Sequence, residues 1–133
     1  MTSREELNAY DLGLPLPLAP LEERRHRVPP EVVLLLKTRK ERAMRLLGER
    51  FREMRLFGSY ARGQFNEDSD VDVLVVTAPL APGERARVVG EVACTTPEGL
   101  IVSPIVLSDV ELDELRRREA LLVQDIDREG ITL

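Results

Sequence analysis

The segment Ser69 to Val76, "SDVDVLVV", constrains the fold more than any other part of the chain. Side chains alternate across a strand, so Val71, Val73 and Val75 take one face and fill a core. Asp70 and Asp72 share the opposite face at the strand mouth, and Leu74 and Val76 lie deeper on that face. The strand, read over Val71 to Ala78, is apolar along its length yet opens on two carboxylates. Two like charges side by side repel, and something must compensate them. A hard divalent cation such as Mg²⁺ does so, because it takes oxygen ligands and shares a pair of carboxylates with substrate phosphates.

Upstream, "FREMRLFGS" reads as a strand ending at Phe57, and Gly58-Ser59 turns it into a loop or short helix. Glycine lets a phosphate approach the backbone closely. Exposed N–H groups and the Ser59 hydroxyl would then donate to phosphate oxygens. Arg62 can neutralise a further charge, Gly63 supports the turn, and Ser69 stands just before the first aspartate. One stretch therefore offers both parts of a metal–nucleotide site: Gly58, Ser59, Arg62 and Ser69 for a triphosphate, Asp70 and Asp72 for its metal. A D-x-D pair alone often marks exposed acids at a strand entry, and a lone Gly-Ser is weak. Their joint spacing between two strands carries the reading.

The pattern Gly58-Ser59, ten residues, then Asp70-Val71-Asp72 resembles the signature of the DNA polymerase β-type nucleotidyltransferase superfamily, and most of all its minimal nucleotidyltransferase domains. The likeness runs from the helix at Glu31 to the C-terminal "REGITL". The resemblance implies an α+β fold, a small mixed β-sheet flanked by helices with the motif at its edge. It implies that Gly58 and Ser59 hold the triphosphate of ATP or another nucleotide and that Asp70 and Asp72 bind Mg²⁺. An acceptor hydroxyl would attack the α-phosphate and pyrophosphate would leave, under electrostatic stabilisation. Active members place a third carboxylate on the next strand, here "LIVSPIVLS", which holds no acid. The equivalent positions are Ile101 and Ser103, with Glu98 before the strand and Asp109 after it.

The rest of the chain reads around this motif. Residues 1–30 are Pro-rich and aperiodic, an extended arm whose Leu12, Leu14, Leu16, Leu18 and Leu21 suit packing on the domain of residues 31–133. "EERRHR" reads as a solvated charged surface, and His26 within it has no ligand spacing around it. A helix starts near Pro30, a residue suited to a first turn. Val32, Leu35, Leu36, Ala43, Leu46 and Leu47 form its inward stripe, and Lys37, Arg39, Lys40, Arg42 and Arg45 its solvated face. A weak helix follows over Pro82 to Thr95, with Cys94 as small buried filler. Next comes a strand over Leu100 to Ser108, whose Pro104 marks an edge or bulge. Ser108-x-x-Glu111 opens a last helix through a capping box, with Leu112, Leu115, Leu122, Val123 and Ile126 inward, ending at Gly130.

Composition narrows the function classes. A net charge of −5 lacks the basic excess of a general nucleic-acid binder and counts against a nucleic-acid partner. A single cysteine excludes an intrachain disulfide and points to a reducing cytosol, and no apolar run reaches membrane-span length, so a cytoplasmic location without membrane contact is expected. Two functions fit. One is an enzyme moving AMP from Mg-ATP to an acceptor hydroxyl. The resemblance suggests a HEPN-domain toxin as that acceptor, since small members of this kind pair with such proteins as antitoxins. The other is a catalytically weak or inactive nucleotide-binding module that neutralises a partner by binding. A homo-oligomer is compatible with both.

Overall fold

A computed structural model describes residues 17–133 of the chain. The expected packing of Leu12, Leu14 and Leu16 lies outside the described residues. Within residues 17–30 the chain is not extended throughout, as expected, but forms a short helix, α1 (Leu21–Arg27). Seven residues carry too little periodicity to announce a helix, and α1 is held by a long-range contact instead. Arg24 is 5% exposed. Its Nε donates to the Ala19 carbonyl at 2.9 Å, and its Nη1 donates to the carbonyls of Ala61 at 2.9 Å and Glu129 at 2.6 Å. "EERRHR" is therefore not wholly a solvated surface. Its Arg24 is a buried clasp, because a guanidinium can satisfy several backbone oxygens at once.

The long helix α2 (Pro30–Leu47) begins with Pro30 in its first turn and buries Val32, Leu36, Ala43 and Leu47. Leu35 and Leu46 pack at the edge of that core. The basic face is less solvated than expected. Arg42 pairs with Glu91 at 2.9 Å, and Lys40 donates to the Leu133 carbonyl at 2.6 Å.

A five-stranded mixed sheet forms the centre, in the order β3-β4-β2-β1-β5. Its strands are β1 (Phe51–Phe57), β2 (Val71–Thr77), β3 (Cys94–Thr95), β4 (Ile101–Ser108) and β5 (Ile131–Thr132). β2 lies antiparallel to β1 and parallel to β4. The parallel pair requires a crossover, which α4 (Glu84–Val92) supplies. The expected helix from Pro82 to Thr95 thus stops at Val92, and half-buried Cys94 pairs as a strand residue instead. β3 covers only Ile101 and Val102, so Pro104 lies where the outer edge of β4 is already free.

Both faces of β2 are covered, as its alternation requires. Val71, Val73 and Val75 join Val32, Leu36, Val88 and Val92 in one core. Leu74 and Val76 join Phe57, Leu112, Val123 and Ile126 in the other. The second core rests on α5 (Asp109–Arg117) and α6 (Leu121–Glu129), where the sequence suggests one helix. Glu119 adopts φ 56°, a left-handed conformation that breaks the helix and lets α6 fold back. The break re-phases the apolar stripe: Val123 and Ile126 stay buried, while Leu122, expected inward, is 42% exposed. The Ser108–Glu111 capping box is present in both directions.

Candidate active site

The antiparallel register sets Phe57 beside Asp72, so the turn after β1 runs against the carboxylates at the mouth of β2. That turn is Gly58 followed by the four-residue helix α3 (Ser59–Arg62). Gly58 adopts φ 76° and ψ −156°, a conformation that side chains disfavour. A Cβ there would collide with Asp72 Oδ2 and stand 3.3 Å from Asp72 Cβ and Cγ. The glycine exists to let the Asp72 carboxylate lie against the backbone.

Its N–H is not free for a ligand. It donates to Glu129 Oε1 at 2.9 Å. Glu129 is 2% exposed, and both its oxygens also accept from Arg62 Nη1 at 3.2 Å. Gly58 therefore contributes space, and the donors left at the turn are the N–H groups of the first turn of α3, which have no intrahelical acceptor. Glu129 and Arg24 are the residues that sequence reasoning missed. Glu129 sits in an unremarked "DREG" far from the motif in sequence, and no local pattern distinguishes it from its exposed neighbours.

Asp72 is half-buried and Asp70 exposed. Burial pushes the Asp72 carboxyl up from its ordinary range, the charge of Asp70 pushes it further, Arg62 pulls it down, and Glu129 adds a smaller push upward. The fold thus brings Asp70, Asp72, Gly58 and Arg62 together. Ser59 is half-buried at the start of α3, and its carbonyl accepts the Gln64 N–H at 2.9 Å. Ser69 is turned to its own loop, where its Oγ accepts the Asn66 N–H at 2.9 Å.

The parallel register answers the question of a third acid. Asp72 stands beside Ser103 on β4, and Ile101 precedes the paired stretch at the same end. Glu98 lies in the turn before β4. Asp109 lies beyond the far end of β2, paired with Arg52 at 3.3 Å. No carboxylate of β4 faces the aspartate pair. The nearby third carboxylate is Glu129, reached from the C-terminal helix and engaged with Gly58 and Arg62.

Residues 35–127 match the family described as "Nucleotidyltransferase domain". The chain belongs to that nucleotidyltransferase family. It is 30% identical over 78 residues, 57% of this chain and 79% of the relative, to a Methanocaldococcus jannaschii protein named "Putative protein adenylyltransferase". Its fold resembles a crystal structure titled as a "putative nucleotidyltransferase" from Sulfolobus solfataricus, with a TM-score of 0.53, 22% identity and 84% of each chain covered. The small mixed sheet flanked by helices is thus the nucleotidyltransferase fold expected from the motif.

Among the described residues no group of three His, Cys, Asp or Glu side chains converges to hold a metal. Asp70 and Asp72, the latter raised by burial and then by the charge of Asp70, would offer Mg²⁺ two carboxylates, with ligand oxygens and water needed to complete its shell. His26 belongs to no such group. No helix among the described residues is long and apolar enough to cross a membrane.

A cleft of about 890 Å³ adjoins the motif loop without including either aspartate of the pair. Tyr60, the residue after Ser59, lines it and stacks on Phe65 with ring centroids 4.3 Å apart. Burial raises the Tyr60 hydroxyl above its ordinary range, and the nearby charge of Glu31 adds to that.

Proposed function

We propose that this nucleotidyltransferase moves AMP from Mg-ATP to a hydroxyl of a protein acceptor, a HEPN-type toxin partner being the candidate that the resemblance suggests. The observation that carries the reading is the close approach of Asp72 to Gly58, which sets the carboxylate pair beside the turn that opens α3. The name of the Methanocaldococcus jannaschii relative supports a protein as acceptor.

In this reading Asp70 and Asp72 would hold Mg²⁺, which when bound would supply positive charge to the phosphates. The Ser59 hydroxyl and the first N–H groups of α3 donate to phosphate oxygens. Arg62, aligned by Glu129, faces the same charge. The acceptor oxygen forms a bond to the α-phosphorus as the bond to pyrophosphate breaks. With Ser103 beside Asp72 no β4 carboxylate takes the hydroxyl proton, which leaves to solvent. Incubating the protein and its genomic neighbour with Mg-ATP tests this by intact mass. An AMP increment on the neighbour, absent with Asp70→Asn/Asp72→Asn, is expected; no increment on either chain refutes it.

The serine beside Asp72 also favours a second reading, a weak or inactive module that neutralises its partner by binding. It predicts that Asp70→Asn/Asp72→Asn still neutralises the partner. Loss of neutralisation with the complex intact refutes it.

A further inference from the structure

We infer that the cleft beside the motif loop docks a cationic segment of the acceptor protein, one with Lys or Arg flanking an apolar side chain. This rests on the proposed transfer to a protein hydroxyl and gives the acceptor its chemistry. Four carboxylates line the cleft, Glu31, Glu67, Asp68 and Glu98, with no basic residue among its described walls. All four are exposed, and none forms a salt bridge among the described residues. Most acidic residues elsewhere on the described surface are paired, with Glu41, Glu49 and Glu119 as exceptions outside the aspartate pair. There Glu84 pairs with Arg50, Glu111 with Arg85, Asp127 with Arg116 and Glu114 with Arg117. Unpaired charges of one sign around a concave wall focus their field and attract the opposite charge.

Without a bridging cation the same charges repel a triphosphate. A metal does not account for them either, since no three of the described carboxylates converge. An independent observation points to a polar ligand. Tyr60 is 4% exposed, and its hydroxyl, on the cleft wall, makes no hydrogen bond among the described residues. That hydroxyl is not sealed from solvent, and a ligand carbonyl can accept from it in place of water. Leu34, 66% exposed, and Leu35 and Leu100 provide apolar wall between the charges. A bare inorganic cation or a fully polar chain would leave that surface wet.

Position links the cleft to the chemistry. Tyr60 follows Ser59, and Asp68 precedes Asp70 by two residues, so both ends of the motif loop touch it. A segment seated there lies alongside the carboxylate pair, with its basic groups on Glu67, Asp68 and Glu98 and a backbone carbonyl on Tyr60.

Fluorescence anisotropy with a fluorescein-labelled peptide of alternating Arg and Leu around a central Tyr, without nucleotide, tests the inference. Glu67→Lys/Glu98→Lys should weaken binding about tenfold or more, because like charges replace attractive ones. Tyr60→Phe, which removes one hydroxyl, should weaken it about threefold to tenfold. Circular dichroism verifies that both variants fold. The same peptide with Glu in place of Arg should not bind. Asp70→Asn/Asp72→Asn should keep peptide affinity, so a failure of AMP transfer alone speaks against the proposed function and not against the cleft. Equal affinity of wild type and the Glu67→Lys/Glu98→Lys protein would overturn the inference. So would equal binding of the Glu peptide, or binding of spermine tighter than the Arg peptide, which would make the occupant a small polycation.

Discussion

Gly58→Ala tests the geometry on which the site depends. The residue sits at φ 76°, and a Cβ there would run into Asp72 Oδ2. Two costs follow. Holding a non-glycine residue in that region costs about 1–3 kcal/mol. Displacing the carboxylate, which has β-strand backbone on one side and Glu129 and Arg62 nearby, adds about 1–3 kcal/mol of overpacking. Gly83→Ala is a reference without the collision, since Gly83 has φ 86° with nothing within 4 Å of its would-be Cβ. The gain from a stiffer unfolded chain is shared by both variants, while the backbone cost is larger at Gly58, whose ψ of −156° lies in a region open almost only to glycine, than at Gly83, whose ψ of −19° is left-handed helical. At roughly 4 °C per kcal/mol for a domain of this size, Gly58→Ala should melt about 4–12 °C below Gly83→Ala. Thermal unfolding by circular dichroism reads the difference, and a Mg-ATP titration of melting temperature reads the site. Gly58→Ala should lose the ligand-induced rise that Gly83→Ala keeps. Equal melting of the two, with the rise intact in both, would refute the claim that Asp72 needs the empty space of Gly58.

Three other outcomes follow from the same contacts. Asp72→Asn should raise the melting temperature near pH 7: the folded protein holds this carboxyl above its ordinary 3.8, so the favourable contribution exists below that value and is lost as pH rises through the raised one. The gain should fade in acid, and added Mg²⁺ should stabilise wild type but not the variant. Arg24→Met should cost about 2–4 kcal/mol, because three backbone acceptors lose a charged donor, and denaturant unfolding should show that Arg24→Lys fails to restore it. Glu111→Gln should cost about 0.5–1 kcal/mol at pH 7, a small figure because its Arg85 pair is solvent-screened. The Arg85 pair and the Ser108 cap hold the Glu111 carboxyl at about 2, so its contribution is present above the ordinary 4.5 and disappears as pH falls toward 2.

What could be read in the sequence was local. The alternation of "SDVDVLVV" fixed both faces of β2, and the faces pack as that pattern demands. The Pro30 start and the Ser108 capping box were legible because each is written within a few residues. The break at Glu119 was not, since a glutamate gives no sign that it will adopt positive φ. Neither were β3 and β5, two residues each, whose pairing depends on their neighbours. The site divided in the same way. Spacing marked Gly58, Ser59, Arg62, Asp70 and Asp72 as candidates, and the fold sets Gly58 against Asp72. Glu129 and Arg24 did not, because their meaning comes from contacts with residues 71 and 37 positions away. The role of Gly58 also changed: its N–H belongs to Glu129, and its missing side chain belongs to Asp72.

The central claim is that the turn after β1 and the mouth of β2 form one nucleotide site. A crystal structure with Mg²⁺ and a non-hydrolysable ATP analogue measures it most directly. The account predicts Mg²⁺ on Asp70 and Asp72, with the phosphates on Ser59 and the first turn of α3 and Arg62 facing them. Phosphates seated in the cleft of Glu31, Glu67 and Glu98, or bound without contact to either aspartate, would contradict it.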